Sequence, residues 1–337
     1  MNPEAPPPAT TPPGAALPAV TGPDADADAL RLLAARLVEH DMRHGSDTIA
    51  PAAHAAWRHV RRRLRSGAST AYAAAAAELA EVAGWVLFDA EHPAAPAVTA
   101  EAAGAAERAA ERPMRDFAVT NLALMEAERG RTGAAARLAA DLLQSPRLPG
   151  RVAQLARIRL GRALAPAGYH QASRALLGRA AADLQDSLQP RDPAWTWWLD
   201  ECEVAGHRGL ALAAEGRLAA ALAVLQRAAD LTGPRRSADA RSHLHHHVSV
   251  AAVAARLGAW PECGAALEQI RASAPHVASA RNRRRLRAAL HLVGSRPGAP
   301  GPLVDLARHT AGAAPGLTPI RPAGSARPWP RGRTPRG

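Results

Sequence analysis

The sequence contains no lysine: all 42 of its basic residues are arginine. Alanine, arginine, glycine and proline dominate instead, a bias that a GC-rich genome imposes whatever the function. The formal net charge of +12 attracts polyanions at low salt, but arginine used without lysine is weak support for nucleic-acid binding. Cysteine is almost missing too. Cys202 and Cys263 make neither a disulfide framework nor a zinc signature, so a reduced, cytoplasmic chain without a metal or cofactor is expected. Aromatic residues make up only 3%, which excludes a core of bulky rings and favours thin, alanine-rich helices in close contact. There is no basic start followed by an apolar run, so no signal peptide is expected. No run of about 20 uncharged apolar residues is apparent, so no membrane partner is expected either. No P-loop, H-E-x-x-H, G-x-S-x-G or strand-linked G-x-G-x-x-G occurs, and the chain is not expected to be an enzyme.

What the sequence does contain is helical period. No segment alternates apolar and polar residues over a useful length. Leu30, Leu33, Leu37 and Val38 define a first helix, and Trp57, Val60 and Leu64 a second. From Tyr72 onward a unit repeats: a long helix, a short turn with glycine, a second helix. Its clearest turns are anchored by Gly130, Gly168, Gly216 and Gly258, with a fainter one between Asp89 and Pro93. Spacing of this order is the mark of a helical solenoid. Glycine ends the first helix of each pair in a conformation other residues resist.

In the best unit Gly209 precedes Gly216 by seven residues, where two paired helices approach closely, and Gly161 stands likewise before Gly168. Trp260 follows Gly258 by two, as an aromatic anchor in the turn. The expected fold is all-α: a solenoid of stacked helical hairpins over residues 28–312. It has two leading helices, about five pairs and a closing helix or two. A Pro-rich tail (1–27) and an Arg- and Pro-rich tail (313–337) are expected to be disordered.

The stretch AWTWWLDE concentrates three of the seven tryptophans. Read as helix, Trp195, Trp198, Cys202, Ala205, Gly209 and Leu212 share one stripe. Trp195 and Trp198 are therefore structural anchors, with Gly209, Gly216, Gly258 and Trp260. Trp197 points off the stripe. With Glu203, Gly206, Leu210 and Ala213 it forms a candidate wall for a partner groove. His243, His245, His246 and His247 in SHLHHHV read as solvated or partly packed rather than as metal ligands. The arginine runs RHVRRRLR (58–65) and RNRRRLR (281–287) read as solvated helix faces rather than phosphate contacts.

Segment WTWWLDECEVAGHRGLALAAEGRLAAALAVLQRAAD resembles the tetratricopeptide-like sensor region of actinobacterial regulators with an N-terminal helix-turn-helix of the XRE type. VASARNRRRLRAAL is similar to their last helices, and ALRLLAARLVEHDMRHGSD to the helix after their DNA-binding domain. Residues 1–27 are too short and proline-rich to supply that domain. The resemblance implies a regulatory role in transcription, in which the repeat region senses a peptide or protein or mediates homodimerisation. Two other readings stay open: a stand-alone interaction scaffold, and a DNA-binding regulator truncated of its helix-turn-helix. Weak non-specific nucleic-acid contact through the C-terminal arginines is also compatible with the sequence.

Overall fold

The computed structural model describes residues 25–187, 192, 194–233 and 238–313. Both tails expected to be disordered lie almost wholly outside the described residues. The described part is all-α, with no strand among the described residues. In order the helices are α1 (Ala25–His44), α2 (Ala50–Arg65), α3 (Thr70–Asp89), α4 (Ala95–Arg108), α5 (Arg112–Glu128), α6 (Thr132–Leu143) and α7 (Gly150–Leu164). Then come α8 (His170–Ala182), α9 (Glu201–Ala214), α10 (Leu218–Thr232), α11 (Ala240–Leu257), α12 (Trp260–Ser273), α13 (Ala280–Ser295) and α14 (Gly301–Ala313).

The turns explain this order. Gly45, Gly130, Gly168, Gly216, Gly258 and Gly298 all have positive φ, and each follows an odd-numbered helix. After α3 the same place is taken by Glu91, at φ 54°. Seven residues before Gly130, Gly168, Gly216 and Gly258 stand Ala123, Gly161, Gly209 and Ala251, all buried. Nine residues after them stand Ala139, Leu177, Leu225 and Leu267, also buried. The fit is tight where glycine meets leucine. A Cβ at Gly209 would lie 2.5 Å from Leu225 Cγ, and one at Gly161 2.7 Å from Leu177 Cγ.

From α2 to α12 each helix packs on the next in sequence, as α13 does on α14; α12 packs on α14, and each odd-numbered helix also touches the following odd-numbered one. The first and last thirds of the chain then meet: α1 packs on α11, and α3 on α13. α3 is long and apolar enough, by length and composition alone, to cross a membrane, although Glu78, Glu81 and Asp89 keep it from being an uncharged run. In this fold α3 packs against α1, α2, α4 and α5, with most of its residues buried.

The seam between the two ends is polar. Ala278 N donates to His44 O (2.7 Å), and Asp47 N to Ala278 O (2.9 Å). Gly45 is needed there because a Cβ would lie 2.6 Å from the Ala278 carbonyl oxygen. Arg283 pairs with Asp47, Arg284 with Glu91, and Arg285 with Glu128 at 2.5 Å. Arg281 Nε lies 3.6 Å from Asp89 Oδ1. The run 281–287 is thus not a solvated face. It places four guanidinium groups against carboxylates some 160–240 residues earlier, and only Arg284 and Arg287 of its arginines are exposed. In the other run, Arg61 pairs with Glu101 and Arg63 with Asp26, while Arg58, Arg62 and Arg65 are exposed.

Candidate functional site

Six of the odd-numbered helices, all but α7, line a cavity of about 430 Å³. Its wall follows helical spacing. Phe117, Asn121, Leu124 and Glu128 line it from α5, at intervals of four, three and four. α3 contributes Glu81, Val82, Trp85 and Val86, and α1 Val38, Asp41 and Met42. From α9 come Cys202, Glu203, His207 and Leu210, from α11 Arg241, Ser242, His245 and His246, and from α13 Arg281 and Arg285.

The tryptophan cluster closes one side. Here the sequence reading is corrected. Trp195 lies in a 3-10 turn (Ala194–Thr196), and α9 starts only at Glu201, so the tryptophans do not continue its stripe. The helix starts there because Asp200 caps it, its carboxylate accepting from Glu203 N at 3.1 Å. Trp195 stacks on Phe117 with ring centroids 4.3 Å apart, and Trp198 lies 6.3 Å from the same ring. Trp197 is 58% exposed. All three line the cavity.

The candidate groove wall therefore divides. Trp197, Glu203 and Leu210 line the cavity; Gly206 and Ala213 do not. Gly206 is buried beneath His246, whose Cε1 would lie 2.6 Å from a Cβ there. Ala213 packs in the core formed with α10 and α11. Trp260 packs, half-buried, against that same core.

The charges of the wall are mostly matched. Asp41 accepts from Ser46 Oγ (2.5 Å) and Trp85 Nε1 (3.0 Å) and lies 2.9 Å from Arg241 Nε. For Arg241, burial opposes the charge, but Asp41 and Asp89 outweigh it and raise its pKa. Burial would likewise raise Glu128, yet Arg285 and Arg281 hold it down at about 2. Glu203 Oε1 lies 2.9 Å from His207 Nε2 and 3.7 Å from Arg159 Nη1. Burial is again outweighed by these partners, and Glu203 is held below the usual carboxylate range.

Burial also shapes the imidazoles. It lowers His207 and His246 to about 4 and takes His245 well below its ordinary value, so these rings are neutral at pH 7. The histidine run is more buried than the sequence suggests. His243 contacts Thr232 Oγ1 at 2.9 Å and its ring packs edge-on to His247. Cys202 Sγ lies 3.3 Å from His246 Nε2. No group of three or more metal-ligating side chains occurs among the described residues.

Glu81 is different. It is 7% exposed, and Asn121 Nδ2 donates to its Oε1 at 2.5 Å. It makes no ion pair among the described residues, and burial pushes its carboxyl up to about 7. Sequence reasoning missed this pair, together with Trp85, Phe117 and the seam arginines. One signal was available: Glu78 and Glu81 are the only carboxylates in the apolar run AAAAAELAEVAGWVLF. Comparison with protein-family models, curated proteins and solved structures returns no match.

Proposed function

We propose that this is a regulatory, tetratricopeptide-like helical-repeat protein whose cavity receives a peptide or a peptide-like segment of a partner, in control of transcription. The observation that carries the reading is the convergence of six odd-numbered helices and the tryptophan turn on one cavity. Its volume is in the range of ligand sites, far too small for a folded domain. Phe117 to Glu128 spans eleven residues of α5, about 16 Å at the helical rise, which is roughly five residues of extended chain. The repeat register and the sequence resemblance support the regulatory part.

The alternative of direct DNA reading loses one of its two arginine runs, because residues 281–285 are engaged in the seam. Two measurements test the proposal. Partner capture from cell extract by the full chain should fail when Leu210→Trp fills the cavity; equal capture by both would place the partner elsewhere. Fluorescence anisotropy on duplex DNA should show binding that disappears by ~150 mM salt. Tight binding above that salt, retained in a chain ending at residue 312, would move the protein to the direct DNA binders.

A further inference from the structure

The wall of the cavity is unusually aromatic for this chain. Trp85, Phe117, Trp195, Trp197 and Trp198 all line it, although aromatic residues are only 3% of the sequence. Among them sits a carboxyl, Glu81, that has no counter-charge among the described residues. The other wall carboxylates of α1, α5 and α9 have cationic partners: Arg241 for Asp41, Arg285 for Glu128, Arg159 for Glu203. Asp200 and Asp239 cap helices through Glu203 N and Ser242 N. Among the described residues Glu81 has Asn121 alone.

Its position is informative. Trp85, one turn further along α3, already has the Arg241 and Arg281 guanidinium groups over its ring at 5.4 and 5.3 Å. The rings left for a ligand are Phe117, one turn before Asn121 on α5, and Trp195 and Trp198 around it, with exposed Trp197 at the rim. A buried carboxylate is costly unless paired. Ring faces attract a cation and exclude water from it.

We propose that the cavity takes an organic cation, an ammonium or guanidinium group on an apolar body, with Glu81 as its counter-ion and the surrounding rings as its cage. This rests on the reading of the cavity as a ligand site, and it names the chemistry of the ligand. In a peptide the group is the N-terminal ammonium or a basic side chain. An anion finds no equivalent place, because Arg241 and Arg285 already face carboxylates.

Binding a fixed cation needs Glu81 ionised, so below about pH 7 a proton leaves the carboxyl for solvent as the ligand enters. Affinity therefore rises with pH. Two other carboxyls on α3 are raised by burial, but neither lines the cavity: Glu78 pairs with Arg31, and Asp89 faces Arg241 and Arg281 behind the wall, so the Glu81→Gln variant separates Glu81 from both. The groups that do line this part of the cavity do not reproduce the effect between pH 6 and 8. Glu128 and Glu203 are held ionised by Arg285 and by His207 with Arg159, and His207, His245 and His246 are held neutral. Arg281 titrates at about 10. Asp41 is paired with Arg241, and α2 and α4 bring Arg61 and Glu101, paired with each other.

The test is a tryptophan-fluorescence titration of the full chain with benzyltrimethylammonium, whose charge is fixed, and with its uncharged isostere neopentylbenzene. N-Phenyl-1-naphthylamine serves as an uncharged reporter of entry into an apolar site. The cation should bind at least about tenfold more tightly than the isostere at pH 8. Its affinity should rise about tenfold from pH 6 to pH 8, as a carboxyl of pKa about 7 ionises. Glu81→Gln should remove both the preference and the pH dependence with helical circular dichroism unchanged. The wild-type pH profile stands even if that variant misfolds. If the reporter enters but cation and isostere bind alike, or affinity ignores pH, the cation inference fails and the ligand site survives. If no probe, the reporter included, alters the fluorescence, the ligand-site reading fails and takes the inference with it.

Discussion

Gly209 offers the sharpest test of how α9 and α10 pack. In Gly209→Ala the new methyl would lie 2.5 Å from Leu225 Cγ, 2.7 Å from Cδ2 and 3.3 Å from the Leu225 backbone nitrogen. Leu225 is fully buried and cannot swing into solvent. Overpacking costs roughly 1–3 kcal/mol, and contacts well under 3 Å to a side chain with nowhere to move place this case at about 2–3 kcal/mol. Alanine recovers about 1 kcal/mol as a better helix former than glycine. The expected net loss is about 1–2 kcal/mol, read as a shift of the urea midpoint at constant slope, with circular dichroism and tryptophan fluorescence as paired probes. A comparison at Gly216 separates steric from backbone effects. A Cβ there meets nothing within 4 Å, but φ is +81°, so Gly216→Ala loses about 1–2 kcal/mol from the left-handed backbone alone. Adding Leu225→Ala decides between them. It makes room beside Gly209, so the Gly209–Leu225 double variant should lose at least about 1 kcal/mol less than the sum of the singles. The Gly216–Leu225 double variant should be additive within about 0.5 kcal/mol. Wild-type stability in Gly209→Ala, or additivity at both sites, would refute the close approach of α9 and α10.

Trp197→Ala should cost under about 0.5 kcal/mol and Trp198→Ala about 2 kcal/mol in thermal melts, because only Trp198 packs against Phe117; equal losses would mean that Trp197 is packed as well. Asp41→Asn removes a buried partner of Arg241 and should destabilise by about 3–5 kcal/mol, with faster amide exchange in α1 and α11; unchanged exchange would show that the seam does not depend on the pair. Acid should destabilise the fold between pH 7 and pH 5. His207, His246 and His247 titrate at about 4 when folded and near 6.5 when unfolded. Their stabilising contribution is complete above pH 6.5 and is lost as pH falls towards 4, by up to about 1.4 kcal/mol per histidine per pH unit. Glu81 acts in the opposite sense, since its raised pKa favours the fold below pH 4.5 and that advantage is lost as pH rises through 7. Glu78 and Asp89 are raised by burial too, but His54 and His245 are lowered, so three carboxyls act against five imidazoles; a melting temperature that is flat or rises from pH 7 to pH 5 would contradict the assigned burial.

The helical turns were legible in the sequence because backbone chemistry wrote them there. A residue that must take positive φ is most often glycine, and Gly130, Gly168, Gly216 and Gly258 mark their turns without any knowledge of the fold. Glu91 takes the same conformation without being glycine, which is why its unit read as faint. The cavity was less legible. Helical spacing relates residues within one helix, and Glu81 and Asn121 meet across forty positions, Asp41 and Arg241 across two hundred. The run Arg281–Arg285 looked like a solvated face for the same reason: its carboxylates lie at the other end of the chain. The tryptophans were placed on a helix because their spacing fits one. Asp200 competes for the helix start, and its side chain caps Glu203 N, leaving Trp195 and Trp198 to pack from a turn.

The two kinds of contact in this fold differ in strength and in consequence. Neighbouring helices are joined by alanine, glycine and leucine packing, as at Gly209 and Leu225, where burial of apolar surface supplies the free energy. The ends of the chain are joined at α1–α11 and α3–α13 largely by ion pairs and by backbone hydrogen bonds around Gly45 and Ala278. Buried ion pairs roughly break even against apolar contacts and chiefly fix register. The seam is therefore the interface that separates at least cost, and it is also one wall of the cavity, through Asp41, Arg241, Arg281 and Arg285. A ligand bound between α3–α5 and α11–α13 adds its contacts to that wall and to nothing in the unfolded chain. By linkage, occupancy at a hundred times the dissociation constant then stabilises the closed form by about 2.7 kcal/mol. That gain is comparable with the loss of a single seam pair. In global unfolding that gain is the same for every variant that still binds, so the ligand should offset a conservative seam substitution and Gly209→Ala alike; its specific effect at the seam should be slower amide exchange in α1, α11 and α13, where local opening breaches the cavity wall.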